Sequence, residues 1–192
     1  MANNAMVTIQ SQQITLQEFL ILPETKPASE FIDGKIIQKP MPKGKHSIIQ
    51  AELIIAFNSI LKPTKIARAF PELRCTFGDC STVPNVSVFT WERIPHDSNG
   101  EIADSFKASP DWTIEILSPN QSQTKVTKNI LHCLDNGTKL GWLIDPSEKS
   151  VLVYFPQQQP KFFEVATDVL PTPNFAQAFE LTLGELFGWL SK

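Results

Sequence analysis

The chain has 192 residues, of which 42% are hydrophobic and 19% are charged, and its formal net charge at pH 7 is −3. A chain of this length and composition can bury one compact core, which excludes a disordered protein. The negative charge argues against a protein that coats nucleic acid nonspecifically, although it leaves room for a local basic patch.

Three cysteines are present, Cys75, Cys80 and Cys133, and none of them stands in a Cys-x-x-Cys pair. Their odd number is typical of a reduced protein rather than of a disulfide framework, with a Cys75–Cys80 pair as the alternative. Residues 1–13 are polar and lack a signal-peptide core, and no apolar run reaches the about 18 residues of a membrane span. We therefore expect a cytoplasmic protein without membrane association, with a flexible segment over 1–13 and a single domain over 14–192.

The first third of the chain contains three recognisable elements. Thr15 is a favourable helix N-cap, and the apolar residues after it predict a short helix over 15–20. Asp33-Gly34 lies between two alternating runs, which predicts a β-hairpin over 30–38. Apolar residues then recur at three- and four-residue spacing over 46–61, which predicts a core-facing helix. The inward positions of this helix are expected to be Ile49, Leu53, Ile54, Phe57, Ile60 and Leu61.

Short apolar and β-branched runs bounded by Pro, Ser, Asn and Gly predict strands in the remainder of the chain. These strands are expected over 66–70, 73–77, 83–90, 112–117, 140–144, 151–155 and 161–165. Helices are predicted over 123–136, with Val126, Ile130, Leu131 and Leu134 inward, and over 181–190. Because strands dominate the middle and helices flank them, the sequence predicts an α/β fold around one mixed sheet.

Two of the predicted strands carry oxygen-bearing side chains. Asn85 lies in one of them, and Asp111 and Glu115 lie at the start and within the other. A buried carboxylate is costly unless its charge is compensated, so an acid inside an apolar strand more often indicates a site than packing. The two-residue repeat of a strand places Asp111 and Glu115 on one face. If the Asn85 strand pairs nearby, oxygen ligands of the kind that Mg²⁺ or Mn²⁺ prefers converge.

Lys125 and Lys128 open the helix that follows Glu115, and a lysine there could position an attacking water or neutralise a phosphate. Each candidate has a structural alternative. Asn85 alone also suits a hydrogen-bonded strand residue, the two lysines suit a solvated helix, and His46 suits a hydrogen bond at the start of its helix. The histidines and cysteines lack the spacing of a zinc site.

Five short motifs follow one another in order. They are Glu30-Phe31-Ile32-Asp33-Gly34, His46 at the start of the long helix, Val83-Pro84-Asn85-Val86, Ile114-Glu115-Ile116-Leu117-Ser118-Pro119, and Gly137 followed by Gly141-Trp142-Leu143-Ile144-Asp145-Pro146. Together they resemble the bacterial putative restriction endonuclease family of the PD-(D/E)XK nuclease superfamily, long catalogued as a domain of unknown function. The resemblance covers residues 14–190. It implies a restriction-endonuclease-like fold, with a mixed central β-sheet flanked by α-helices and an N-terminal β-hairpin, and Mg²⁺-dependent cleavage of DNA.

The resemblance also implies roles for individual residues. Glu115 matches the metal-binding glutamate of the family's Glu-x-Leu-Ser-Pro motif. Glu30 matches a recurrent acid of the N-terminal hairpin, and His46 matches a recurrent histidine of the first long helix. The catalytic lysine, which in this family lies on the helix after the strand, would be Lys125 or Lys128.

The chain departs from the family pattern at two positions. Asn85 stands where the family has the metal-binding aspartate of its Pro-Asp pair, and the usual lysine register, eight residues before Gly137, falls on Asn129. An amide brings no negative charge to offset the dehydration of Mg²⁺, so we expect weaker metal binding. Asp111 follows Pro110 and spells the same pair, but it shares the strand of Glu115. It is interpreted either as an auxiliary acid or as a decoy that matches the motif by chance.

The leading hypothesis is therefore a metal-dependent DNA endonuclease, a phosphodiester hydrolase that uses an Mg²⁺-activated water, with Mn²⁺ as an alternative ion. A second hypothesis is a catalytically weakened nuclease-fold protein that binds DNA or another protein. A third is a structural homodimer that pairs through an exposed edge strand at 161–165.

Overall fold

The computed structural model describes residues 14–119 and 121–191, so the N-terminal segment expected over 1–13 lies outside the described residues. The described chain contains four α-helices: Leu16–Leu20 (α1), Gly44–Leu61 (α2), Gln123–Asp135 (α3) and Leu183–Gly188 (α4). Its strands are Ser29–Ile32 (β1), Lys35–Gln38 (β2), Ala67–Pro71 (β3), Cys75–Phe77 (β4), Cys80–Thr82 (β5), Val86–Thr90 (β6), Trp112–Ile116 (β7), Leu140–Asp145 (β8), Ser150–Tyr154 (β9) and Lys161–Phe163 (β10). No helix among these residues is long and apolar enough to cross a membrane.

Six of the strands form a mixed sheet in the order β10-β9-β8-β7-β6-β3. Strands β7 and β8 run parallel, and the other neighbouring pairs are antiparallel. A parallel pair needs a crossover connection, and α3 supplies it here. The predicted α/β arrangement around a mixed sheet is confirmed.

The remaining four strands form a second, antiparallel sheet in the order β2-β1-β5-β4. The expectation of one sheet is therefore wrong, because the N-terminal hairpin pairs with β5 through Phe31 and Ser81. The strand expected over 83–90 is also shorter, since only Val86–Thr90 belongs to the six-stranded sheet. Pro84 has no N–H to donate to a ladder, so Asn85 lies just before the start of β6.

Helices cover both faces of the six-stranded sheet. Side chains of α2 pack in the main core with Trp112, Ile114 and Ile116 of β7. Side chains of α3 pack with Leu143 of β8, which is the neighbour of Glu115 in the parallel register. Because side chains alternate along a strand, Glu115 projects from the face that α3 covers.

The N-terminal hairpin and the first helix form as predicted. At the hairpin turn, Asp33 has a φ of 51° and Gly34 a φ of 71°, the left-handed pair that a two-residue turn of this kind requires. Thr15 caps α1, because its hydroxyl accepts from the Glu18 N–H while the Glu18 carboxylate accepts from the Thr15 N–H. The hairpin strands and their partner β5 then carry one side of the candidate site.

Two residues that were expected to point inward are exposed instead. Ile60 is 37% exposed, because the buried side chains of α2 recur at four-residue steps and Leu61 continues that stripe. Leu131 is 46% exposed, since it is turned by about 100° from the buried Ile130, and Cys133 occupies the inward position.

Candidate metal and active site

Asn85, which directly precedes β6, lies beside Glu115 of the neighbouring strand β7. The antiparallel register pairs Val86 with Ile114, and its continuation by one residue on each chain brings Asn85 opposite Glu115. Each residue is 3% exposed. The Asn85 Oδ1 accepts a 2.8 Å hydrogen bond from the Ile116 N–H, which fixes the amide against the end of β7.

Glu30 brings a second buried carboxylate from β1. Its Oε1 accepts from the Val83 N–H at 2.8 Å, and its Oε2 accepts from the Asn129 Nδ2 at 3.3 Å. These bonds join three elements, since Val83 follows β5 and Asn129 lies on α3. Asn129, which stands where the family usually has its lysine, therefore contacts the site, but its side chain is an uncharged amide.

Burial dominates the electrostatics of Glu115. It raises the pKa of this carboxyl to about 7, the nearby Lys39 ammonium opposes the rise, and the Glu30 carboxylate adds to it. A backbone hydrogen bond from Asn85 and the Lys39 ammonium compensate the Glu115 carboxylate only in part; the ion pair joins its Oε2 to the Lys39 Nζ at 3.8 Å. A carboxylate that is buried and so sparsely compensated is suited to receive a cation.

Lys39 is a site residue that sequence reasoning missed. Its side chain is 10% exposed, and its Nζ donates to the Val83 carbonyl oxygen beside the Glu30 contact. A signal was available, because Lys39 follows Ile37 by two positions in the hairpin and Ile37 pairs with Glu30. The strand alternation therefore directs Lys39 and Glu30 to the same face.

His46 and Glu72 border the site on the side of α2. Together with Lys39, Pro40, Pro42, Asn85, Ser118 and Gln121 they line a small cavity. His46 is 4% exposed, and its Nδ1 has no hydrogen-bond partner among the described residues. Burial, and to a smaller degree the Lys39 charge, holds the pKa of His46 below its ordinary value, so the ring is neutral at pH 7. Glu72, a second residue not singled out from the sequence, is held here by its N–H, which donates to the Asn85 carbonyl at 3.2 Å.

The structure does not bring the remaining candidates into contact with Glu115. Lys125 is exposed on α3, and Lys128 forms an ion pair with Asp33 at the surface. Asp111 lies four residues from Glu115, or about 13 Å along the strand. It accepts from the Thr90 N–H at 2.9 Å and pairs with Arg93 at 2.6 Å, contacts that tie β6 to the loop before β7.

The donor set fits a hard divalent cation that keeps part of its water shell. Glu115 and Glu30 offer carboxylate oxygens, Asn85 offers an amide oxygen, and such ligands suit Mg²⁺ or Mn²⁺. Within the described ranges, no group of three or more His, Cys, Asp or Glu is arranged to hold a metal ion.

Comparisons with known proteins agree with the fold. The family model described as "Uma2: Putative restriction endonuclease" matches residues 16–184. The chain is also similar to a crystal structure described as a putative nuclease belonging to DUF820 from Anabaena variabilis ATCC 29413, with 64% sequence identity and a TM-score of 0.92. That similarity covers 93% of this chain and 99% of the other. A search of curated proteins gave no match.

Proposed function

Because the chain belongs to the Uma2 family of putative restriction endonucleases, we propose that it is a metal-dependent endonuclease that hydrolyses phosphodiester bonds of DNA. The observation that carries the proposal is the placement of Glu115. It is a carboxylate 3% exposed within a core strand, beside Asn85, and burial raises its pKa to about 7 although the Asn85 backbone and the Lys39 ammonium both act against the rise. A buried carboxylate whose charge is compensated only in part is suited to receive a cation.

Glu115 and the Asn85 amide oxygen, with Glu30 beside them, would hold an Mg²⁺ or Mn²⁺ ion. When bound, such an ion lowers the pKa of a water and stabilises charge on a phosphodiester. In the hydrolysis, a water oxygen loses a proton and bonds to phosphorus, the bond from phosphorus to one deoxyribose oxygen breaks, and the departing oxygen takes up a proton.

The chain's own residues order the site for this chemistry. The hydrogen bonds from Val83 and Asn129 hold Glu30 in place, and the bond from Ile116 orients the Asn85 oxygen. The neutral His46 ring lines the small cavity together with Asn85, and its buried Nδ1 has no hydrogen-bond partner among the described residues. Preorganised polar groups of this kind stabilise developing charge at a low reorganisation cost.

A plasmid-cleavage assay with Mg²⁺ and with Mn²⁺ tests the proposal. We expect the wild type to nick DNA in a metal-dependent manner, Asn85→Asp to cleave faster, and Glu115→Ala to be inactive. Glu92→Ala, which removes an exposed acid away from the site, is the matched control and should behave as the wild type. If neither the wild type nor Asn85→Asp cleaves with either metal, the endonuclease proposal is wrong.

A second candidate function is DNA binding without efficient cleavage. It is favoured by the amides at Asn85 and Asn129, the two positions where the chain differs from the family pattern. Both side chains already form internal hydrogen bonds. Gel-shift titrations at several salt concentrations distinguish the two functions. Salt-sensitive binding with no metal-dependent cleavage supports this candidate, and absent or salt-independent binding contradicts it.

Homodimer formation is a further proposal that rests on β10. This strand is the outer strand of the six-stranded sheet, and its Phe162 is 56% exposed. An uncovered edge with an exposed aromatic residue can pair with a second copy of the chain. Sedimentation over a range of concentrations that shows only monomer would remove this proposal.

A further inference from the structure

We propose that Lys39 is the functional lysine of this site, where it contacts the phosphate that is cleaved and also limits how tightly a divalent cation binds. The inference deepens the proposed function and rests on it for the cleavage step. It starts from the 3.8 Å ion pair between the Lys39 Nζ and the Glu115 Oε2, the one ion pair that Glu115 makes among the described residues.

The lysines of α3 point away from this ion pair. Lys128 is 59% exposed and is paired with Asp33, and Lys125 is exposed. The position of the family's usual lysine is Asn129, whose amide donates to Glu30 but carries no charge. The helix therefore supplies no cation to the carboxylates, and the positive charge beside them comes from the hairpin.

The hairpin holds Lys39 in a fixed place. Its N–H donates to the Ala28 carbonyl at 2.9 Å, which extends the β1–β2 ladder by one pair beyond Ser29 and Gln38. Its Nζ donates to the Val83 carbonyl, and the N–H of that same residue donates to Glu30. The backbone of Val83 thus binds both Glu30 and Lys39 of the hairpin.

The Lys39 ammonium retains capacity to bind a substrate. An ammonium has three N–H donors; one is used by Val83, and the 3.8 Å separation from Glu115 is longer than a hydrogen bond. The residue also lines the small cavity beside Asn85 and His46. A positive charge there would stabilise the extra negative charge of a phosphodiester under attack.

The same ammonium partly compensates Glu115 when no divalent cation is bound. A divalent cation held by Glu115 would lie a few Å from this positive charge, and like charges at that distance repel strongly in a buried site. Removing the charge should therefore strengthen cation binding and slow cleavage at once. A residue that only maintained the fold would weaken both.

The test compares Lys39→Gln, Lys39→Met and Lys39→Arg with the wild type. Lys35→Gln, which removes an exposed charge from the same hairpin, is the matched control. Mn²⁺ affinity is measured by calorimetry on the DNA-free protein, and single-turnover cleavage is measured at saturating Mn²⁺, so that altered affinity does not affect the rate. Thermal melts establish that each variant is folded. Lys125→Gln and Lys128→Gln test the rival assignments in the same assays.

We expect Lys39→Gln and Lys39→Met to bind Mn²⁺ about tenfold more tightly and to cleave about a hundredfold more slowly, since both effects come from one buried charge. Lys39→Arg should keep part of the rate, and Lys35→Gln should match the wild type. Unchanged or weaker Mn²⁺ binding in folded Lys39→Gln, or loss of cleavage in Lys125→Gln or Lys128→Gln instead, overturns the inference. If neither the wild type nor Asn85→Asp cleaves, the endonuclease proposal and the phosphate contact fail, while the Mn²⁺ titrations still decide the effect of Lys39 on cation binding.

Discussion

The side-chain oxygen of Asn85 accepts a 2.8 Å hydrogen bond from the N–H of Ile116, the residue that follows Glu115. The bond orients the amide so that it lies beside the Glu115 carboxylate, opposite it across the two strands. An amide oxygen can accept a second interaction, so it remains able to ligate a cation. It contributes no charge to that interaction, however, and the charge at this position becomes the variable that controls cation binding.

Replacing Asn85 with Asp should therefore strengthen metal binding. The carboxylate can accept the same bond from the Ile116 N–H, so the geometry is kept while one negative charge is added. We expect Mn²⁺ to bind at least about tenfold more tightly, as an added charge in contact with the ion is worth more than about 1.4 kcal/mol in a buried site. Calorimetric titration measures the change. Asn99→Asp, in an exposed loop, is the control, and equal affinity of Asn85→Asp and wild type would contradict the prediction.

Asn129→Lys should restore cleavage to a protein that lacks Lys39. The Asn129 side chain reaches the Glu30 Oε2 at 3.3 Å, so a lysine at this position can place an ammonium among the same carboxylates from the side of α3. In the Lys39→Gln background we expect Asn129→Lys to recover about tenfold or more of the single-turnover rate, because a lost charge is replaced.

Asn129→Gln in the same background is the matched control for this rescue. It lengthens the side chain without adding a charge, so it should leave the rate low. Recovery by Asn129→Gln as well would mean that side-chain length rather than charge limits cleavage. No recovery by a folded Asn129→Lys double variant would show that this position of α3 cannot act on the substrate.

Much of the fold could be predicted because local signals determine it. The left-handed pair Asp33-Gly34 defines the hairpin, and the four-residue repeat defines the buried face of α2. The second sheet could not be predicted in the same way. It depends on the pairing of β1 with β5, between residues about fifty positions apart in the chain, and no local pattern specifies which edge a hairpin joins.

In the candidate site, too, the residues marked by a local sequence signal could be predicted, and those that depend on long-range contacts were harder to predict. Glu115 could be identified because an acid inside an apolar strand is unusual. Lys39 is harder to identify, because a lysine after a hairpin ordinarily lies in solvent. The strand alternation indicates only that Lys39 shares a face with Glu30, and its burial involves a contact with Val83, 44 residues later. The two helix lysines were favoured by their place in the sequence after Glu115. On the folded helix they lie on the exposed side, while Asn129 faces Glu30.

Asp111 should matter for stability rather than for metal binding. It accepts bonds from the Thr90 N–H at 2.9 Å, from the Thr90 Oγ1 at 3.1 Å and from Arg93 at 2.6 Å. Removing a buried acceptor with several donors leaves those donors unpaired, so Asp111→Ala should lower the free energy of unfolding by about 2–4 kcal/mol. Urea denaturation measures this loss, with Asp104→Ala in an exposed position as the control. A change in Mn²⁺ affinity of folded Asp111→Ala would instead support a role as an auxiliary acid of the site.

The three cysteines should be unreactive in the folded protein at neutral pH. Burial raises the pKa of Cys75 to about 12 and the pKa of Cys133 well above its ordinary value, and it also raises the pKa of Cys80. The thiolate is the reactive form, so at pH 8 about one Cys75 in ten thousand is ionised while the fold is intact. The raised pKa of Cys75 also makes the stability of the fold depend on pH. The unfolded chain releases this proton at lower pH than the folded one, so the contribution of Cys75 to stability is lost progressively as the pH rises from about 9 to about 12.

Labelling with a disulfide reagent at pH 8 measures this protection. We expect native protein to react over many minutes to hours, at a rate limited by opening of the fold, and protein unfolded in urea to release three equivalents at once. Cys80 is the most accessible of the three at 7% exposure, so Cys80→Ala should remove the fastest part of the native reaction and leave the slower part unchanged. Rapid labelling of Cys80→Ala under native conditions would show that Cys75 or Cys133 is reachable from solvent, and that the core next to Glu115 opens more readily than its packing implies.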